Sequence, residues 1–86
     1  MTNTFHLVIA SVGDTKFDAA AESATLPGVD GELTILPHHE PLVTILKKGK
    51  VSVCLPAQAG ASGERKEFEI EGGVLECSLN RAVVLL

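Results

Sequence analysis

The run Lys66-Glu67-Phe68-Glu69-Ile70-Glu71 decides the fold class. Phe68 and Ile70 fall on one side of a period-two pattern and three glutamates on the other, the mark of a half-buried antiparallel strand. A helix would stack Glu67 against Glu71 at i,i+4 and set like charges together. The same period continues outward in both directions. Phe5, Leu7 and Ile9 alternate with His6 and Val8, and Thr15, Phe17 and Ala19 alternate with Lys16 and Asp18. Leu33 and Ile35 alternate with Glu32 and Thr34, and Val51, Val53 and Leu55 with Ser52 and Cys54. Breakers fall between these runs at Gly13-Asp14, Pro27-Gly28, Asp30-Gly31, Pro37, Pro41, Gly49, Pro56, Gly60, Gly63, Gly72-Gly73 and Asn80. Short strands at this spacing predict a sandwich or barrel with no helix and no internal repeat. The small, uncharged stretch Pro56–Gly63 reads as a long hairpin loop between strands near 50–56 and 64–71.

One region breaks the alternation. Extending the parity of Leu33 and Ile35 assigns Ile35, Val43 and Ile45 to the inward set. Leu36, Leu42 and Leu46 then share the outward parity of Thr34 and Thr44. Two explanations are open. Either both faces of these strands are covered within the domain, or an outward apolar strip docks on a partner.

Composition narrows the function classes. Eighty-six residues fit one domain, which buries about 60% of its unfolded surface. With 45% hydrophobic and 21% charged residues the chain has enough apolar surface to fold. Phe5, Phe17 and Phe68 are its only aromatics, too few for a base- or sugar-stacking platform, and the net charge of −4 disfavours nucleic acid. No apolar run approaches the ~20 residues of a membrane helix; Val83-Val84-Leu85-Leu86 is strand-sized. No basic segment followed by an apolar stretch opens the chain, so no secretory leader is expected. Cys54 and Cys77 form no CxxC pair, and the expectation is a reduced, cytoplasmic protein with two free thiols.

The stretch Thr25-Leu26-Pro27-Gly28-Val29-Asp30-Gly31-Glu32-Leu33-Thr34-Ile35-Leu36-Pro37-His38-His39-Glu40-Pro41-Leu42-Val43-Thr44 resembles the N-terminal domain of the epsilon subunit of F-type ATP synthase, the counterpart of the mitochondrial delta subunit. The resemblance continues through Lys47-Lys48-Gly49-Lys50-Val51, Phe68, Gly72-Gly73-Val74-Leu75-Glu76-Cys77 and the closing Asn80-Arg81-Ala82-Val83-Val84-Leu85-Leu86. Phe5-His6-Leu7 agrees with the family's opening strand. The match is collinear and covers essentially the whole chain, residues 1–86. It implies an all-β, flattened antiparallel β-sandwich of about ten short strands. It also implies a non-catalytic rotor subunit of the central stalk, with no cofactor, that clamps the gamma subunit and rests on the cytoplasmic loops of the c-ring. Rotation is thereby transmitted between ion flow and ATP synthesis, on the cytoplasmic side of the cell membrane, with membrane contact only through the complex. Residue by residue, the resemblance places Ser11, His39, Leu42 and Thr44 on the gamma-facing side and Glu32 on the c-ring edge. The family's bacterial members usually continue into a C-terminal helical hairpin. This chain ends with the sandwich, so the hairpin is expected to be absent, and neither inhibition nor ATP binding is assigned to its residues. His38 stands where the family often has Gly, a position that favours positive φ.

Other constellations have blander explanations. His38-His39-Glu40 offers imidazoles and a carboxylate, but adjacent residues on extended chain point apart and no third anchor has ligand spacing, so no metal is expected. Cys77 shares parity with Leu75 and reads as a small buried hydrophobe, and Cys54 as outward; neither has a paired base that would make it a nucleophile. Lys47, Lys48 and Lys50 around Gly49 suggest a hairpin tip of solvated charge. A modified lysine there would define a lipoyl or biotinyl carrier domain, which together with a generic β-sandwich adaptor is the alternative reading. Gly28, Gly31, Gly72 and Gly73 fit turns between strands, not a phosphate loop. The isolated domain is expected to be monomeric.

Overall fold

A computed structural model describes residues 3–56 and 63–86. Among the described residues seven strands follow in chain order: β1 (Phe5–Ser11), β2 (Asp14–Ala21), β3 (Ser23–Gly28), β4 (Gly31–Ile35), β5 (Leu42–Cys54), β6 (Arg65–Ser78) and β7 (Arg81–Leu85). They form one hydrogen-bonded sheet in the order β2-β1-β7-β6-β5-β3-β4, antiparallel except for the parallel β1–β7 pair. The sheet folds over on itself. All seven strands send residues into one core, among them Leu7, Ile9, Leu26, Ile35, Val51, Val53, Leu75 and Val84. The period-two reading therefore holds, and the β-sandwich class with it.

The strand count differs from about ten short strands, and the glycines explain why. Gly49 and Gly72-Gly73 do not separate strands; they bend two long ones of 13 and 14 residues. β5 and β6 stay paired from Leu42↔Cys77 to Cys54↔Arg65, yet the buried parity changes on both. Leu46 is buried before the bend of β5 and Val51 and Val53 after it; Ile70 precedes the bend of β6, and Leu75 and Cys77 follow it. Gly72 supplies a φ of +141° at this bend, and a Cβ on Gly73 would lie 2.5 Å from the Leu85 carbonyl oxygen. The register of β3 on β5 also slips here, from Thr25↔Ser52 to Gly28↔Leu46. Each long strand thus serves both layers. The first half of β5 and second half of β6 join β7, β1 and β2; the remaining halves join β3 and β4. The chain crosses between layers from β2 to β3 through Glu22, whose N–H donates to the Cys54 carbonyl at 2.8 Å.

Three sequence expectations change. Val43 and Ile45 are 68% and 59% exposed, whereas Leu46 is buried and Leu42 packs against the core. The parity of Leu33 and Ile35 does not cross the loop between Pro37 and Pro41, because that loop restarts the strand in the other layer. Thr15 and Ala19 are exposed. A bulge shifts the pairing from Ile9↔Phe17 to Ala10↔Thr15, and β2 is an edge strand whose Ala19 lies outside the covered core. Lys47, Lys48 and Lys50 sit within β5 opposite β6, not at a hairpin tip, so the carrier-domain alternative loses its geometry. Lys48 and Lys50 face Glu71 and Glu67 at 3.7 Å, exposed pairs of small energetic weight. Phe68 is half-buried and meets Phe17 edge-to-face at 5.9 Å. The β5–β6 hairpin is present, with the Leu55 N–H donating to Glu64; of its expected Pro56–Gly63 loop, residues 57–62 lie outside the described residues.

Candidate docking surfaces

The two outer faces of the sandwich differ in chemistry. On the layer of β3 and β4, Thr25, Thr34, Ser52, Glu67 and Lys50 lie outward, with Thr25 and Thr34 hydroxyls 3.1 Å apart across the strands. On the other layer, adjacent strands present Ile45, Val74 and Leu85 in one cross-strand row. Val43, Glu76, Val83 and Val8 form the next row. Val43, Ile45, Val74 and Leu85 are all exposed large hydrophobics. An apolar patch of this kind on a small domain marks an interaction surface.

An open groove runs where β4 of one layer approaches the first half of β5 in the other. Leu33, His39, Leu42 and Thr44 line it, with Asp30 and Glu32 at its acidic lip. The two-residue Val29-Asp30 turn shapes that lip. Gly28 is required there, since a Cβ would lie 2.7 Å from the Gly31 carbonyl oxygen and 2.8 Å from Leu33. The Val29 N–H donates to the Ile45 carbonyl at 3.0 Å and ties the turn to β5.

The groove brings together four of the five residues expected to dock. His39, Leu42 and Thr44 share it, and so does Glu32, which the sequence reading set on a separate edge. Ser11 stands apart. It ends β1 opposite Asp14, and β7 and β6 intervene between β1 and β5. At about 4.8 Å per strand this is roughly 14 Å along the sheet.

Asn80 is the positioning residue that the sequence reading passed over as a breaker. Its Oδ1 accepts the His38 N–H at 2.8 Å, and its Nδ2 donates to the Thr4 carbonyl at 2.9 Å. His38 and Asn80 both have positive φ, 64° and 58°. The His38–His39 loop is thereby held against the β6–β7 turn. His39 Nδ1–H donates to the Glu40 carbonyl at 2.7 Å, an engagement within the loop itself. Among the described residues no three His, Cys, Asp or Glu side chains group as metal ligands. Cys77 is buried and burial pushes its thiol up, away from a reactive thiolate. Cys54 is half-buried on the polar outer face, its Sγ 3.8 Å from the Arg65 guanidinium.

Residues 4–86 match the family model of the ATP synthase delta/epsilon chain beta-sandwich domain. The chain belongs to this family. The ATP synthase epsilon chain of Delftia acidovorans is 36% identical over 83 residues, covering 96% of this chain and 56% of the relative. That of Herminiimonas arsenicoxydans is 35% identical over 85 residues, covering 99% and 58%. This delta/epsilon domain therefore spans a little over half the length of the curated relatives it matches. Their names agree with the expectation of an ATP synthase epsilon-type chain. Solved structures share the fold at lower identity. A chain of the Euglena gracilis mitochondrial ATP synthase, OSCP/F1/c-ring, superposes with a TM-score of 0.80 at 17% identity, covering 95% of this chain and 49% of that one. A chain of the Tetrahymena thermophila mitochondrial ATP synthase central stalk and c-ring gives a TM-score of 0.73 at 14% identity, covering 93% and 60%.

Proposed function

We propose that this delta/epsilon domain is a non-catalytic part of the central stalk of an F-type ATP synthase, docking on the gamma subunit and on the c-ring loops to help couple ion translocation to ATP synthesis. One observation carries the reading beyond family membership. The first half of β5 is the shared border of an exposed apolar face, with Val43 and Ile45, and of the groove holding His39, Leu42 and Thr44. A partner seated along that border removes apolar area from water on both sides, at about 25 cal/mol per Å² before association costs. In this reading His39, Leu42 and Thr44 meet gamma, and a contact that also includes Ser11 extends across β6 and β7. Glu32, at the charged lip, meets the c-ring loops, where it sets register more than affinity. The names of the relatives and the stalk and c-ring assemblies among the structural neighbours support this placement. The domain then sits at the cytoplasmic side of the cell membrane, held there through the complex, and is monomeric when isolated.

The test is Glu32→Lys in reconstituted ATP synthase membranes. Gamma binding is expected to stay near wild type while ion-driven ATP synthesis falls. Unchanged coupling removes Glu32 from the c-ring contact.

A further inference from the structure

Among the described residues each long strand is paired on one side alone along part of its length, β6 over Arg65–Glu71 and β5 before Leu46, and the β5 stretch has an unusual setting. β3 pairs with β5 at Ser23↔Cys54, Ala24↔Val53 and Thr25↔Ser52, then slips and touches β5 again only at Gly28↔Leu46. Among the described residues, β5 N-terminal to Leu46 is paired on its β6 side alone. The direction of its free groups follows from two hydrogen bonds. The Ile45 carbonyl accepts from the Val29 N–H, so the backbone groups of Ile45 point away from β6. Val43, two residues earlier on the same strand, points the same way. Among the described residues neither the Val43 N–H, the Val43 C=O nor the Ile45 N–H has a hydrogen-bond partner on that side.

Folded proteins commonly blunt such edges with charge, proline or a bulge. The other edges of this sheet follow that practice, the first half of β6 with Lys66, Glu67, Glu69 and Glu71. β2 carries Lys16, Asp18 and the bulge opposite Ala10, and the short β4 carries Glu32 and is followed by Pro37. The open edge of β5 has none of these between Leu42 and Leu46. It carries apolar groups on both faces instead, Leu42 inward and Val43 and Ile45 outward. Asp30, at the lip of the groove beside the Val29 turn, is accompanied there by no lysine or arginine among the described residues. An occupant that satisfies all three features is an extended strand, apolar at alternating positions and carrying positive charge at its Asp30 end.

We infer that the open edge of β5 at Val43–Ile45 accepts, by strand addition, an extended segment of the gamma subunit that carries positive charge at its Asp30 end. This rests on the stalk reading above and names the contact through which it works. Main-chain bonds to Val43 and to the Ile45 N–H give affinity; side chains of the added strand alternate between the groove over Leu42 and Thr44 and the face beside Ile45 and Val74, and give specificity. The turn at Val29 occupies the Ile45 carbonyl and stops the added strand at that end.

Amide hydrogen exchange of the 86-residue chain, alone and with its cognate gamma subunit, tests this directly. In the complex the Val43 and Ile45 amides are expected to slow about tenfold or more. Val43→Pro removes the outward N–H without removing a bond of the β5–β6 ladder, and is expected to weaken gamma binding about tenfold or more beyond the loss caused by Val43→Ala, which trims the side chain and keeps the N–H. A complex that forms with unchanged exchange at both amides overturns strand addition and leaves the stalk reading standing. Equal loss of binding in Val43→Pro and Val43→Ala also overturns it, since a side chain would then carry the contact. Absence of any complex overturns the stalk reading and this inference with it.

Discussion

The backbone N–H of His38 donates to the side-chain Oδ1 of Asn80 at 2.8 Å, across 42 positions of sequence, and both residues hold left-handed φ. This bond fastens the loop before β5 to the turn before β7. It sets the end of the groove at which His39 stands.

Asn80→Ala should loosen that end. It removes the bonds to His38 and Thr4, each contributing about 0.5–1.5 kcal/mol, and puts an ordinary residue where a left-handed conformation costs about 1–2 kcal/mol. The expected loss is about 2–5 kcal/mol in urea unfolding, with faster exchange of the His38 amide. An unchanged His38 exchange rate would show that the loop is held by something else.

His38→Gly should act in the opposite direction. The bond to Asn80 uses the main chain and survives the change, while the left-handed strain is relieved. Net of the larger unfolded-state entropy of glycine, the gain should be about 0.5–1 kcal/mol, or a few degrees in melting temperature. A lower melting temperature would mean that the imidazole contributes to the fold.

Val43→Asp and Leu42→Asp should separate surface from core. Val43 is outward, so its variant should stay within roughly 1 kcal/mol of wild type and lose gamma binding. Leu42 packs on the core, and a carboxylate there should cost about 2–3 kcal/mol before binding is considered. Circular dichroism beside a gamma pull-down checks both. Equal destabilisation would mean that Val43 is covered.

Cys77 gives the stability curve a direction in alkali. Burial pushes its thiol above the ordinary value of 9.0. Above that value the unfolded chain has released a proton that the folded chain keeps, so rising pH favours unfolding. The contribution is complete below about pH 9 and declines as pH climbs towards the raised folded value. The alkaline slope should be steeper in wild type than in Cys77→Ala, with Cys54 retained in both. Equal slopes would place the thiol in contact with water.

Most of the fold was legible because alternation reports burial directly wherever a strand faces one core. Lys66–Glu71 and Phe5–Ile9 read correctly for that reason. The alternation misled at Val43 and Ile45, where prolines separate two strands of opposite parity, and at Gly49 and Gly72-Gly73, where glycines bend strands they were expected to end. Local pattern carries no signal that two strands change parity together, since only their pairing shows it. The groove was half legible: His39, Leu42 and Thr44 came from the family resemblance, while the arrival of Glu32 beside them depends on β4 of one layer approaching the first half of β5 in the other. The open edge at Val43 had no sequence signature, because it depends on where β3 leaves β5.

The most direct test of the stalk assignment is sedimentation of the purified chain mixed with its cognate gamma subunit. A one-to-one complex that survives dilution to micromolar protein is the predicted result. Two species sedimenting separately, each folded by circular dichroism, would contradict it.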